Sequence, residues 1–200
     1  VSWGYSDVGP IDPAPGSVSS GVVSIYSNTY SFAALKTDGS VVAWGRSSYG
    51  GTTPGTVSSG VVAVYSNNRA FAALKTDGSV VAWGDSDWGG TTPGTVSSGV
   101  VAVYSTYYAF AALKTNGSVV AWGDSGSGGT TPGNVSSGVI AVYSNFYAFA
   151  ALKTNGSVVA WGNSNYGGTT PGTVSSGVVA VYSTFGAFAA LKTNGSVVAW

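Results

Sequence analysis

The chain has no histidine, no cysteine, no methionine and no glutamate, and only 7% of its 200 residues are charged. Each absence removes a class of chemistry. Without His or Cys there is no Ser-His-Asp or Cys-His nucleophile system, no thiolate zinc site and no usual haem ligand, so no cofactor and no metal is expected. Seven basic residues balance seven acidic ones. The chain therefore offers no electrostatic footprint for nucleic acid or an anionic bilayer surface. Long apolar runs are also missing. Although 44% of residues are hydrophobic, pieces such as Val61–Tyr65 fall far short of the ~18 residues of a membrane span, so no membrane insertion is expected. Stability owes nothing to disulfides. No basic and then apolar leader opens the chain.

What is present is a repeat. The segment Gly60–Ser98 returns nearly unchanged from Gly99 and from Gly138, with a looser copy from Gly21 and a truncated one from Gly177. The anchors Trp3, Trp44, Trp83, Trp122, Trp161 and Trp200 are spaced by 41 residues once and then by 39 four times. The extra two residues lie in Gly9–Gly16, which replaces the GGTTPG of the other copies. The expected organisation is a divergent partial repeat over 1–20, repeats over 21–59, 60–98, 99–137 and 138–176, and a truncated fifth over 177–200. Together they make one repeat domain. The strand-like sequence at both ends, Val1–Gly4 and Val197–Trp200, reads as a window of a longer array.

Each unit carries three strand signals, in repeat 2 Val61–Tyr65, Phe71–Thr76 and Ser79–Trp83. Asp77-Gly78 between the last two becomes Asn-Gly in later copies, the signal of a two-residue type I′ hairpin. That turn would pair Leu74 with Val81 and Ala72 with Trp83. Ala72, Leu74, Val81 and Trp83 would then share one face, and Phe71, Ala73, Val80 and Ala82 the other. Both faces are apolar, so the sheet must be covered on both sides, and the neighbouring copy is the available cover. A short fourth strand is expected around Thr95–Ser97. The fold class is all-β: tandem blade-like antiparallel sheets stacked face to face, propeller-like, with an open superhelical array as the alternative.

The string AALKTDGSVVAWG at Ala72–Gly84 resembles the core of RCC1-type repeats, whose pattern is close to L-x-x-D-G-x-V-x-x-W-G. It recurs in all five copies and so spans essentially the whole chain. The resemblance implies a propeller-like stack of blades, four-stranded in the family. The 39-residue period is shorter than the family's and points to trimmed outer strands. The nucleotide-exchange surface of the founding member has no counterpart here.

Differences between copies concentrate in two loops. The loop between strands one and two supplies Tyr30, Arg69, Tyr107, Tyr108, Phe146, Tyr147 and Phe185. The segment after Trp-Gly supplies Tyr49, Trp88 and Tyr166. Per-repeat variation on loops marks a binding face, and aromatics beside Asn, Ser and Thr suit protein or carbohydrate. Trp88 occurs once, in the variable loop, and reads as the best single candidate for an exposed aromatic. The recurring Trp residues read as inter-blade core. Lys36, Lys75, Lys114, Lys153 and Lys192 form a row beside the hairpin tips, read as solubilising charges that blunt edges. Asp85-Ser86-Asp87-Trp88-Gly89 has the outline of a calcium loop, but turn bonding explains its carboxylates more simply. Asn116, Asn134, Asn155 and Asn194 head N-x-Ser sequons, three of them at turns.

The expected function is non-enzymatic and structural: an extracellular or surface fibre, spacer or coat module that associates with itself or with neighbouring repeats. The alternative is a lectin-like or protein-binding propeller that uses the aromatic loops.

Overall fold

The computed structural model describes residues 15–200. Trp3 and most of the aberrant Gly9–Gly16 segment lie outside the described residues, as does most of the partial N-terminal repeat. In repeat 2, β4 (Val61–Ser66), β5 (Ala70–Lys75) and β6 (Val80–Gly84) form one three-stranded antiparallel meander. The other repeats build the same unit. Repeat 1 has β1 (Val22–Ser27), β2 (Ser31–Lys36) and β3 (Val41–Gly45), and repeat 3 has β7 (Val100–Ser105), β8 (Ala109–Lys114) and β9 (Val119–Gly123). Repeat 4 has β10 (Val139–Ser144), β11 (Ala148–Lys153) and β12 (Val158–Gly162), and repeat 5 has β13 (Val178–Ser183), β14 (Phe188–Lys192) and β15 (Val197–Ala199). Three strands per repeat fit the short period. Among the described residues the only helical pieces are short 3-10 turns, and no helix is long and apolar enough to cross a membrane.

The register differs by one residue from the sequence expectation. Leu74 pairs with Val80, Ala72 with Ala82 and Phe71 with Trp83. The cause is the turn. Gly78 N–H donates to Lys75 C=O at 3.0 Å and Lys75 N–H to Ser79 C=O at 2.9 Å, so the loop has three residues. Gly78 has φ +74°, and no described non-glycine residue has positive φ. A type I′ turn needs two positive φ values, whereas a type I turn followed by a left-handed glycine needs one. Asp77 reinforces the second form by accepting from Ser79 N–H at 2.9 Å and Ser79 Oγ at 2.6 Å.

The corrected register changes the faces. Ala72, Leu74, Val80 and Ala82 share one, and Phe71, Ala73, Val81 and Trp83 the other. Both remain apolar, and within each unit neighbouring repeats cover the faces turned to one another. The described residues form two compact units, divided between Gly99 and Val100. In the first, Ala33, Leu35, Val41 and Ala43 of repeat 1 pack with Val64, Phe71, Ala73 and Trp83 of repeat 2. In the second, the same small-residue face of repeat 3 meets Phe149 and Trp161 of repeat 4, and that of repeat 4 meets Phe188 of repeat 5. Large aromatics on one face thus fill the space left by alanines on the next, the interdigitation that close packing requires. Phe71 and Trp83 stack at 5.3 Å within their sheet, as do Phe149 and Trp161 at 5.2 Å.

Polar clasps fix the stacking distance. Trp83 Nε1 donates to Gly50 C=O in the preceding repeat at 3.0 Å, Trp161 Nε1 to Gly128 C=O at 3.0 Å and Trp200 Nε1 to Gly167 C=O at 2.9 Å. At the opposite end, Val61 N–H donates to Gly39 C=O, Val139 N–H to Gly117 C=O and Val178 N–H to Gly156 C=O, each at 2.9 Å. The expected fourth strand at Thr95–Ser97 is instead a 3-10 turn, Gly94–Val96, that plugs Val96 fully into the core. The outer edge of strand three is served by side chains: Ala121 N–H and Ala160 N–H each donate at 2.6 Å to Thr131 Oγ1 and Thr170 Oγ1. A threonine of the TTPG segment thereby satisfies an edge that would otherwise invite a further strand.

Candidate functional site

In a three-stranded meander the first loop and the end of the third strand fall at the same end of the sheet. In repeats 1 to 4 the two variable segments therefore meet, and one side chain ties them. Asn67 Oδ1 accepts from Arg69 N–H at 3.0 Å and Ala70 N–H at 2.8 Å, while its Nδ2 donates to Trp88 C=O at 2.5 Å. Asn28 and Asn145 repeat the pattern, with Nδ2 on Tyr49 C=O at 2.7 Å and Tyr166 C=O at 2.6 Å. In repeat 3 Thr106 takes the place, accepting from Ala109 N–H at 3.1 Å and donating to Ser127 C=O at 3.0 Å. The 3-10 turn after strand three closes on a left-handed glycine, Gly50, Gly89, Gly128 or Gly167.

In the first unit this edge alternates aromatic rings and guanidinium groups. Tyr30 and Tyr49 have ring centroids 4.6 Å apart. Arg46 lies 4.6 Å over Tyr49, and Arg69 lies 4.9 Å over Tyr49 and 4.7 Å over Trp88. Arg69 also faces Asp85 at 3.8 Å. Trp88 is half-buried under this contact rather than exposed. Arg46 is the member that sequence reasoning missed. Its signal was present, since it opens the same variable segment as Tyr49.

In the second unit the edge carries an aromatic ladder. Tyr107 stacks on Phe146 at 4.2 Å and Phe146 on Phe185 at 4.4 Å. Backbone bonds keep step, with Tyr107 N–H on Phe146 C=O at 2.8 Å and Phe146 N–H on Phe185 C=O at 3.1 Å. Tyr108, Tyr147 and Tyr166 flank the ladder, at 5.7 Å between the first two and 4.7 Å between the last two. Stacking occupies the ring faces of Tyr107 and Phe146, so the ladder presents edges and hydroxyls. Phe185, at its end, is 65% exposed. All ten candidate residues thus lie on the loop edge of their unit, four in the first and six in the second.

The other features have structural roles. Lys36, Lys75, Lys153 and Lys192 each donate Nζ to a carbonyl of the preceding 3-10 turn, Ser17, Thr56, Asn134 and Thr173, at 2.8–3.2 Å. Asp85 Oδ1 accepts from Asp87 N–H at 3.1 Å, and Asn163 Oδ1 from Asn165 N–H at 3.0 Å, the turn bonding that competes with a calcium reading. Among the described residues no three acidic side chains gather as a metal site would require. Asp38 and Asp77 sit at hairpin tips, where the hydroxyls of Ser40 and Ser79, then their backbone N–H groups, hold the carboxyls below the ordinary value.

No family model and no curated protein matches the chain. Solved structures do. The ectodomain of the Physcomitrella patens receptor kinase CR4 superposes at a TM-score of 0.59 and 17% identity, over 90% of this chain and 52% of that one. Yeast RCC1 (Prp20), solved with Kap60 bound, gives 0.57 at 15% identity, over 89% and 55%. Prp20p from Saccharomyces cerevisiae in a separate structure gives 0.53 at 17%, over 90% and 57%. The fold is RCC1-like. The chain spans a little over half the length of these neighbours. Identities this low carry the architecture alone: the RCC1-like blade is shared, while the aromatic loop edge is a property of this sequence.

Proposed function

We propose that this chain is a non-enzymatic protein-binding module whose contact surface is the loop edge of each unit. One observation carries the reading. The core positions repeat almost without change, yet the residues that do vary from copy to copy lie at one end of their sheets, and among them stand aromatics in every described repeat and both arginines. Interface hot spots draw on Tyr, Trp and Arg, which bury large area with few rotors. The scaffold supports it too: the yeast neighbour is solved with Kap60 bound and has binding properties to Gsp1p and histones. A carbohydrate ligand fits less well, since sugars stack on open ring faces and the ladder's inner faces are occupied.

A second reading, that the module also associates with itself as an extracellular spacer, fibre or coat, has separate support. Zero net charge removes the repulsion that keeps copies apart. The plant neighbour is a receptor ectodomain.

The loop-edge reading is tested by immobilising the chain and challenging it with the extracellular and membrane-associated proteins of its native source. The retained set should vanish with the Trp88→Ala, Tyr107→Ala double variant at unchanged melting temperature. Retention that ignores those changes, or no specific retention, overturns it.

A further inference from the structure

The even balance of bases and acids conceals a segregation. Residues 100–200 hold three lysines, Lys114, Lys153 and Lys192, and a single acid, Asp124. The lysines end the second strand of each sheet, beside the hairpin tip. Asp124 opens the 3-10 turn after strand three, on the loop edge at the other end. The tips themselves are uncharged, because Asn116, Asn155 and Asn194 stand where repeats 1 and 2 have Asp38 and Asp77. The hairpin end of the second unit therefore carries lysines and no acid, whereas each lysine of the first unit has a carboxylate two residues on. Lys153 and Lys192 are also held in place: each Nζ donates to a backbone carbonyl, of Asn134 at 2.8 Å and of Thr173 at 2.9 Å, which leaves two further N–H groups for a ligand.

An apolar row shares this end. Strand one is bulged at its second residue, and that residue is exposed in each sheet of the unit, Val101 by 51%, Ile140 by 55% and Val179 by 52%. The residue before each bulge pairs with the lysine: Val100 with Lys114, Val139 with Lys153 and Val178 with Lys192. The same residue grips the preceding repeat, since Val139 N–H donates to Gly117 C=O and Val178 N–H to Gly156 C=O. Ile140 thus adjoins both the tip of repeat 3 and the strand end that carries Lys153, and Val179 does the same one repeat on. Basic and β-branched residues alternate along this end.

We propose that the hairpin end of the second unit docks on the surface of an anionic phospholipid bilayer. The contact is peripheral. Lysines meet the acidic headgroups, and the exposed Val and Ile side chains enter the headgroup boundary. A soluble polyanion would use the lysines and ignore the apolar row, and single-stranded nucleic acid would call for rings, which this unit keeps on its loop edge. Docking leaves that edge open to a protein partner.

The test is co-sedimentation of the full chain with vesicles of phosphatidylcholine containing about a third phosphatidylserine, against vesicles of phosphatidylcholine alone. The parent should partition at least about tenfold more strongly to the anionic vesicles, and the difference should shrink as salt is raised. Asn116→Asp, Asn155→Asp and Asn194→Asp together install the tip that repeats 1 and 2 already use. That triple variant should melt as the parent does and lose the preference. Val101→Thr, Ile140→Thr and Val179→Thr keep β-branched residues in the strand and should weaken vesicle binding several-fold at unchanged melting temperature. No binding to either vesicle, equal binding to both, or a preference that survives the aspartate tips overturns the proposal. So does undiminished vesicle binding by the threonine variant, which would assign the lysine row to a soluble acidic polymer, with retention on immobilised heparin as its sign. The loop-edge reading is untouched by any of these outcomes and is checked by its own double variant.

Discussion

Trp83 donates its indole N–H to the carbonyl of Gly50, 33 residues earlier, and the same bond joins Trp161 to Gly128. The side chain with the largest apolar area in each repeat is thereby also the polar clasp to the repeat before it, which sets both depth and rotation of the stacking. Removing only the polar half should be measurable. Trp161→Phe keeps most of the burial but orphans the Gly128 carbonyl, an expected cost of about 1–3 kcal/mol. Trp161→Ala removes the ring as well and should cost about 3–5 kcal/mol. Urea denaturation of both variants checks the order. Equal losses would mean that the hydrogen bond adds nothing to packing.

The partner glycine is constrained from two sides. Gly128 has φ +93°, and a Cβ there would sit 2.7 Å from Phe149 Cδ2. Gly128→Ala should cost at least the ~1–3 kcal/mol of a strained left-handed residue, with further loss from the displaced ring. Gly133, five residues on, opens a 3-10 turn with nothing within 4 Å of its would-be Cβ and no positive φ. Gly133→Ala should therefore stabilise by about 0.4–1 kcal/mol through the unfolded chain. Opposite signs from two nearby glycines, read as shifts in melting temperature, are the expected result.

These two glycines mark what was legible in the sequence and what was not. Period, the three main strands of each unit, two apolar faces per sheet and the two variable loops follow from the repeat and the strand signals. The register does not, because Asp-Gly serves both a type I′ turn and a type I turn with a left-handed glycine. The two differ in the sign of φ at Asp77, which no residue pattern displays. The fate of Thr95–Ser97 was hidden for a related reason. Its threonine and valine suit a strand, but Thr side chains of the TTPG segment already satisfy the outer edge of strand three, leaving Val96 to plug the core. Nor could the stacking of Tyr107 on Phe146 be read from either residue, since it depends on the 39-residue rise between blades.

The clamp between the two loops has a natural control. Asn145 is buried and makes three hydrogen bonds, two accepted from Tyr147 and Ala148 N–H and one donated to Tyr166 C=O. Asn145→Ala leaves these backbone groups unsatisfied and should cost about 2–4 kcal/mol. It should also loosen Tyr147 and Tyr166, seen as faster amide exchange over residues 145–148 and 163–167. Asn145→Thr installs what repeat 3 already uses at Thr106, which keeps two of the three bonds, and should cost about 1 kcal/mol. If threonine is as damaging as alanine, the loops are held by something other than this side chain.

The hairpin tips give a pH experiment with its reference built in. Asp38 and Asp77 have carboxyl groups held below their ordinary value of 3.8 by the serine hydroxyl and N–H two residues on. A depressed folded-state pKa contributes stability above the unfolded value and loses it as pH falls through the lowered one. The tips of repeats 1 and 2 should therefore loosen in acid below about pH 4. Asn116, Asn155 and Asn194 accept the same two serine bonds, at 2.7 Å from the hydroxyl and 3.0–3.1 Å from the N–H, and carry no titratable group. Their tips should keep their protection. Amide exchange followed by mass spectrometry between about pH 5 and pH 2 compares the two sets in one sample, and Asp38→Asn with Asp77→Asn should abolish the difference. Loosening of all five tips together would place the acid sensitivity elsewhere in the fold.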